Sequence, residues 1–352
     1  MSTRNFLFKT ALAGLRLSGA ATLARPFFGG RGAVLMLHHV RPDVGHDFAP
    51  NKHLSVTPEF LEDTLKYIRA KRWDIVPMDE VPERLLSPKR GRRFVAITFD
   101  DGYRDNLEHA APILRKYDAP YTIYIASGLV DGTACLWWEG LEELLRQRDR
   151  IAASTAEGTQ TIECASLSEK YAAFDNIAHY MTHDLAEEEQ ERWLRDICWM
   201  YKIDLDALRA REIMTWSQLK QLTDDPLCSL GAHTVHHYAV ARLSEDDARA
   251  QMKQSAQVLA SEIGTMPKHF AYPYGYKEAA GPRDFGLAVE VGFQTAVTTR
   301  PGVLYPAHSE HLTALPRISL NGYFQKRRYF AALMSGLPTL AANRFNKVNV
   351  GA

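Results

Sequence analysis

The sequence predicts an α/β protein of about eight short strands alternating with helices, interrupted once by a long helical insertion. Three observations carry that expectation. Short apolar runs bounded by turn residues recur along the chain, as in "AVLMLHHV" (33–40), "RFVAITF" (93–99) and "YTIYIAS" (121–127). Stretches with helical apolar spacing lie between them. The rhythm breaks after Ser127 and resumes at Cys228, and residues 139–212 of that gap are rich in Glu, Arg, Ala and Leu. A structureless loop of such length is uncommon in a compact domain.

The elements follow in order. After the strand 33–40, "VTPEFLEDTLKYIRAKR" (56–72) reads as a helix, with Thr57 as cap, Pro58 in the first turn, and Phe60, Leu61, Leu65 and Ile68 on one face. "WDIVPM" (73–78) and 93–99 are the next strands, 106–118 is helical, and 121–127 is a strand. Beyond the insertion, Thr215 opens a helix at "TWSQ", and "CSLGAHT" (228–234) is a strand. Ser244 starts a helix running to about Gly264, with Ala248, Met252, Ala256, Leu259 and Ile263 aligned; Ser244 and Asp247 have the form of a capping box. The strands "HFAYP" (269–273), "FQTAVTT" (293–299) and "PRISL" (316–320) complete the series, with a helix near 280–291. Alternation of this kind favours parallel strands covered by helices, and an open doubly wound sheet and a closed barrel both satisfy it. The domain reading is a basic, apolar N-terminal segment (1–32), a main body (33–138 and 213–322), the helical insertion (139–212), and a C-terminal helix and tail (323–352).

Composition excludes some classes. The chain is 46% hydrophobic and 24% charged, as ordinary globular proteins are. Lys+Arg and Asp+Glu both number 42, which lacks the basic excess of a nucleic-acid binder. Local basic runs (88–94 and 325–330) read as solvated surface. Cys135, Cys164, Cys198 and Cys228 have no metal-knuckle or redox spacing and suit a reducing compartment. No apolar run approaches the roughly 20 residues of a membrane span. The N-terminal segment carries no acid before Asp43, and Lys9 and Arg16 interrupt what would be the core of a signal peptide. It reads first as a helix packed on the domain in a cytoplasmic protein. A helix resting on an anionic membrane surface and an atypical export signal are the other two readings.

Polar residues collect at the ends of these strands: His38, Asp100 and Asp101, His233, and Tyr272–Pro273. In α/β barrels that end builds the active site. His233 and His237 are four apart and face the same way if the chain turns helically after its strand. Two neutral imidazoles and one carboxylate would leave an open position on a zinc-type ion. The second Asp could then take a proton from a water, since adjacent residues in an extended segment point apart. Gly102 permits a tight turn behind them. A polar turn capping the next helix is the plain alternative for "DDG".

Together, "TFDDG" (98–102), "HTVHH" (233–237) and "YPYG" (272–275) resemble the three motifs of the NodB-homology polysaccharide deacetylases, carbohydrate esterase family 4, over roughly residues 33–320. The resemblance implies a distorted (β/α) barrel of seven or eight strands and metal-dependent removal of N-acetyl groups from an amino-sugar polymer, oligomer or glycan intermediate. It implies Asp100 as general base and Asp101, His233 and His237 as ligands of one divalent metal. Zn2+ is the default, with Co2+, Ni2+, Fe2+ or Mn2+ compatible. Tyr274, after Pro273, would give its amide to the oxyanion. Two departures stand out. Ala271 occupies the place where the third motif often has an arginine, and Arg317 on the last strand is the candidate replacement, a surface salt bridge being the other reading of it. No Leu-x-x-His follows Arg317 to supply the acid. His38 takes that role in this reading, with His308 and His311 as fallbacks and His39 directed away.

The implied partner is an N-acetylated carbohydrate, and Tyr103, Trp137 and Trp138 are candidates to stack on sugar faces. A hydrolase of another C–N bond, such as a cyclic amide, and a non-catalytic carbohydrate-binding protein are the rival readings. A metal phosphoesterase would need more ligands than can be placed.

Overall fold

The computed structural model describes residues 9, 10, 12, 14, 19–87, 91–155 and 158–351. Eight parallel strands form its main sheet: β1 (Gly32–Leu37), β2 (Asp74–Ile75), β3 (Phe94–Phe99), β4 (Tyr121–Ile125), β5 (Cys228–Ala232), β6 (His269–Ala271), β7 (Thr295–Pro301) and β8 (Leu315–Ser319). They run in the order β2-β3-β4-β5-β6-β7-β8-β1, and β1 pairs again with β3 from Gly32↔Phe94 to Leu37↔Phe99. That pairing closes seven strands into a barrel and decides between the two architectures that alternation allowed. The short β2 stays outside the closure, beside the first residues of β3.

β1 (GAVLML), β3 (FVAITF) and β4 (YTIYI) are buried at every position. A barrel strand faces packed side chains inside and helices outside, so its sequence is a continuous apolar run rather than an alternation. The circle is uneven. β6 has three residues, and the β7–β8 register shifts between Val297 and Pro301. Among the outer helices, Pro58–Ala70 is capped by Thr57 Oγ1, which accepts from Phe60 N at 3.2 Å, and buries Phe60, Leu61, Leu65 and Ile68. Helix Glu245–Ile263 starts at Ser244 as expected and ends on left-handed Gly264.

Three expectations need correction. The run 33–40 is two strands: β1 stops at Leu37, and His39–Val40 pairs separately with Ser55–Val56. The run 73–78 keeps only two strand residues before a turn of 3-10 helix begins at Met78. The insertion is not wholly helical. Its helices Trp137–Gln147, Leu167–His179, Glu187–Met200 and Leu205–Glu212 share a core of Leu141, Leu144, Leu145, Phe174, Ile177, Leu194 and Ile197. They are joined by an antiparallel hairpin, Arg150–Thr155 with Gly158–Glu163. The second hairpin strand is almost entirely exposed, so it lacks the apolar alternation that would betray it.

At the chain ends, helix Ala20–Phe28 leads into β1, and helices Arg327–Leu333 and Leu337–Ala342 follow β8. Most of the segment ahead of Gly19 lies outside the described residues. Among the described residues, no helix is long and apolar enough to cross a membrane.

Candidate active site and metal centre

The site forms where β1, β3, β5, β6 and β8 deliver polar residues to one end of the barrel or its wall. β3 ends at Phe99, and Asp100 N still donates to Leu37 O at 3.0 Å. The chain then turns sharply, with Asp101 at φ 75 and Gly102 at φ 81. The pair is therefore not extended, as the alternation argument assumed. A left-handed Asp101 costs about 1 kcal/mol, and its carboxylate meets His233 and His237 while that of Asp100 meets Arg317. Strain of this kind collects at functional sites.

β5 ends at Ala232, and no helical turn follows. Thr234 (φ 61) and His237 (φ 59) are themselves left-handed, and these kinks bring the second imidazole back beside the first. His233 Nδ1 lies 2.7 Å from Ala271 O, which makes Nδ1 the donor and leaves the Nε2 lone pair facing Asp101. Asp101 Oδ1 is 3.4 Å from His233 Nε2 and 3.3 Å from His237 Nε2. The three candidate ligand atoms all lie within 4.8 Å of one another, and all three residues are buried. Asp101 Oδ1 makes no hydrogen bond although it is buried. A buried carboxylate oxygen facing two imidazole nitrogens fits a divalent cation, and the Ala271 carbonyl fixes one ring from behind, as metal-binding histidines require. Burial pushes the Asp101 carboxyl up, but the two imidazoles outweigh it and hold it well below the usual carboxylate range. Burial pushes His237 down, toward the neutral form that binds metal.

Asp100 faces a different partner. Arg317 Nη1 and Nη2 donate to its two oxygens at 2.7 and 2.6 Å, while Nε donates to Thr298 O at 2.9 Å and Nη1 to Thr98 Oγ1 at 3.2 Å. Arg317 is 1% exposed and Asp100 2%, so the surface reading of Arg317 fails. The guanidinium fork fixes the plane of the carboxylate. Burial raises the Asp100 pKa, but Arg317 outweighs it and keeps the group ionised. His38 Nε2 stands 3.8 Å from Asp100 Oδ2, and its side chain is the most open of this group at 17%. Burial pushes His38 down to about 4.

His39 points the other way, as expected from alternation. Its Nδ1 is 2.6 Å from Asp105 Oδ2, its Nε2 is 3.4 Å from Glu139 Oε1, and its ring lies 3.5 Å from that of Tyr103. Burial disfavours the charge on His39, but Asp105 and Glu139 overcome it and raise the pKa to about 9. The folded pKa is above the unfolded one, so this pairing stabilises fully below about pH 6.5 and is lost as pH rises toward 9. The loss should be on the order of 3 kcal/mol. Urea melts between pH 6 and 9 should show it in the native chain and a flatter dependence in His39→Gln.

β6 stops at Ala271, and the third motif becomes a tight turn. Gly275 N donates to Pro273 O at 2.6 Å across Tyr274, which has φ 60. Thr299 holds the turn, its hydroxyl donating to Tyr274 O at 2.5 Å and its amide to Gly275 O at 3.1 Å. The Tyr274 amide has no backbone acceptor among the described residues. Tyr274 O–H accepts from Trp137 Nε1 at 2.8 Å, and its ring is 4.9 Å from that of His237.

Sequence reasoning named Trp138 for sugar stacking but missed its packing beside His237 and the part played by Glu139 at the start of the insertion. Trp138 lies 4.9 Å from the His237 ring and donates to Tyr103 O–H at 2.8 Å. Tyr103 is fully buried and Trp138 6% exposed, so neither can stack on a sugar. Glu139 follows directly and reaches His39, so one helical turn of the insertion touches the surroundings of both His237 and His38. No local signal joins residues so distant in sequence. The fallback acids lie elsewhere: His308 Nδ1 accepts from Tyr305 N in the turn Pro306–Glu310, and His311 caps that turn.

Comparison with known proteins decides the family. The sequence model for polysaccharide deacetylases matches residues 87–283, more than half of the chain and including Asp100, Asp101, His233 and His237. The chain belongs to the polysaccharide deacetylase family. It is similar to the putative polysaccharide deacetylase YxkH of Bacillus subtilis, 25% identical over 144 residues that cover 39% of this chain and 52% of the relative. The match thus spans about half the length of that curated protein. Solved deacetylases share the fold. PplD of Streptococcus pyogenes, in complex with acetate, superposes with a TM-score of 0.54 at 20% identity, covering 82% of this chain and 92% of its own. IcaB of Ammonifex degensii gives 0.55 at 18% identity, covering 87% and 97%.

Proposed function

We propose that this deacetylase-family protein hydrolyses N-acetyl groups on an amino-sugar polymer, oligomer or glycan intermediate. The observation that carries the reading is the division between two adjacent carboxylates. Asp101 turns a buried oxygen that makes no hydrogen bond toward two imidazoles, while Asp100 is clamped by Arg317 beside His38. Asp101, His233 and His237 would hold one divalent ion, Zn2+ by the donor set, with Co2+, Ni2+, Fe2+ or Mn2+ able to use the same atoms. Such an ion, when bound, polarises the acetyl carbonyl and acidifies a water.

The remaining work falls to the chain. Asp100, ionised and oriented by Arg317, takes the proton of the attacking water. The Tyr274 amide, held out by its strained turn, donates to the oxygen on which negative charge develops. His38 delivers a proton to the departing nitrogen. With its pKa near 4 it is neutral in the free site, so it must receive that proton during the reaction. Asp100 Oδ2 at 3.8 Å is placed to pass it on after a small closing movement. Acetate and a free amine result.

The burial of Tyr103 and Trp138 leaves half-buried Trp137 as the one remaining stacking candidate of the three, so the preference for carbohydrate rests mainly on the family. That leaves a hydrolase of another non-peptide C–N bond as the second reading. Acetate release should be followed over N-acetylglucosamine oligomers and other N-acetylated glycans, with cyclic amides in parallel. Turnover of an acetylated sugar that His38→Ala slows by about 10²–10⁴-fold supports the proposal. Turnover of cyclic amides alone favours the second reading, and sugar binding without any turnover favours a binding protein.

A further inference from the structure

Among the described residues, the segments 20–29 and 334–347 meet at the end of the barrel opposite the strand-end cluster. Helix Ala20–Phe28 enters β1 at its start, and Arg93, just ahead of β3, donates to Gly29 O and Met334 O. Helix Leu337–Ala342 packs beside Ala20–Phe28. Between them, Gly336 is left-handed (φ 77), and a Cβ there would lie 1.8 Å from Phe28 O, so any side chain would force the two segments apart. Tyr305 O–H donates to Phe28 O at 2.6 Å, and Lys347 Nζ lies 5.5 Å from the centre of the Tyr305 ring. The segment 344–347 therefore sits at the Phe28 end of helix Ala20–Phe28.

This end is apolar and basic at once. Leu23 and Phe27, four apart and so on one helix face, are each 74% exposed, and Phe345 is 70% exposed. Arg344 (φ 52) and Phe345 (φ 65) are consecutive left-handed residues, a rare backbone for bulky side chains, and it turns Phe345 outward. Leu86 is exposed next to Ser87, whose carbonyl accepts from Arg31 at 3.1 Å. Arg25, Arg344 and Lys347 supply positive charge among these side chains; Asp74 nearby is shared between Arg84 at 2.8 Å and Arg92 at 3.9 Å, and Glu83 is exposed. The chain is neutral overall, yet no Asp or Glu occurs before Asp43 or after Glu310.

We propose that this end of the molecule docks on the surface of an anionic lipid bilayer. Phosphate headgroups match the cations, and the interfacial layer accepts Leu23, Phe27 and Phe345. A second copy of the same face would set cation against cation, and a nucleic acid would leave the apolar groups unsatisfied. Docking in this way turns the strand-end site away from the bilayer, toward substrate in the aqueous phase. The inference does not depend on the proposed chemistry.

Flotation of the full chain with vesicles tests it. Phosphatidylcholine vesicles containing phosphatidylglycerol should carry the protein up, vesicles of phosphatidylcholine alone should not, and added salt should weaken the binding. Leu23→Glu with Phe27→Glu should weaken partitioning at least about tenfold. Arg344→Glu with Lys347→Glu should do so through charge alone and replaces two exposed side chains, so it reports even if the first variant misfolds. Trp199→Ser, on the exposed face of the insertion, should change nothing. Native chain that ignores anionic vesicles, or binds both vesicle types equally, overturns the proposal. So does binding that survives both double variants. A dimer that Leu23→Glu with Phe27→Glu dissociates, without vesicle binding by the native chain, assigns the face to a second copy instead.

Discussion

Arg317→Met is expected to lower kcat/KM by about 10²–10⁴-fold and to destabilise the fold by roughly 3–5 kcal/mol. The change leaves the Asp100 carboxylate buried without its fork. Burial, which already pushes that group up, would then be opposed only by the imidazoles around it, and the pKa of the base would rise. The pH–rate profile should therefore lose activity first at its acid side and move to higher pH. A purely structural defect would lower activity at all pH values alike. Arg317→Lys keeps the charge but not the two parallel bonds, so it should recover most of the stability and only part of the rate. Acetate-release rates from pH 5 to 9, set beside urea melts of the same variants, separate these outcomes.

Asp100→Asn is expected to cut kcat by about 10²–10⁴-fold while leaving the metal in place. Asp101→Asn should lose the metal and the activity together. The contrast assigns different roles to neighbouring residues of one tripeptide, which neither sequence nor distance alone can do. Because Arg317 acts through Asp100, the double variant Asp100→Asn with Arg317→Met should be little slower than Asp100→Asn alone. Additive losses would mean that Arg317 serves the reaction by another route.

The barrel was legible because its strands are buried on both faces and so appear as unbroken apolar runs between capped helices. Closure was expected only through the resemblance of the three motifs, since the β1–β3 pairing joins residues 32–37 to 94–99 and leaves no local trace in the alternation. The metal cluster could be read from "DDG" and "HTVHH", but for a partly mistaken reason. Helical spacing does not align His233 and His237; left-handed Thr234 and His237 do. Arg317 was found by position on the last strand, yet its bidentate grip on Asp100 required the fold. Trp138 was read as a sugar-stacking residue rather than as packing on His237, and Glu139 was the largest omission. Their contacts with His237 and His39 arise only when the insertion packs over the strand ends. The exposed hairpin strand 158–163 escaped because polar strands carry no periodic signal.

The account rests on one ion held by Asp101, His233 and His237 beside a base held by Arg317. The most direct measurement is acetate release from N-acetylglucosamine oligomers by metal-stripped chain titrated with Zn2+. Activity should be absent at the start, rise with added ion and reach its plateau at about one equivalent per chain, with Asp101→Asn flat throughout. Full activity after complete metal removal, or a plateau only at two equivalents, would contradict the account.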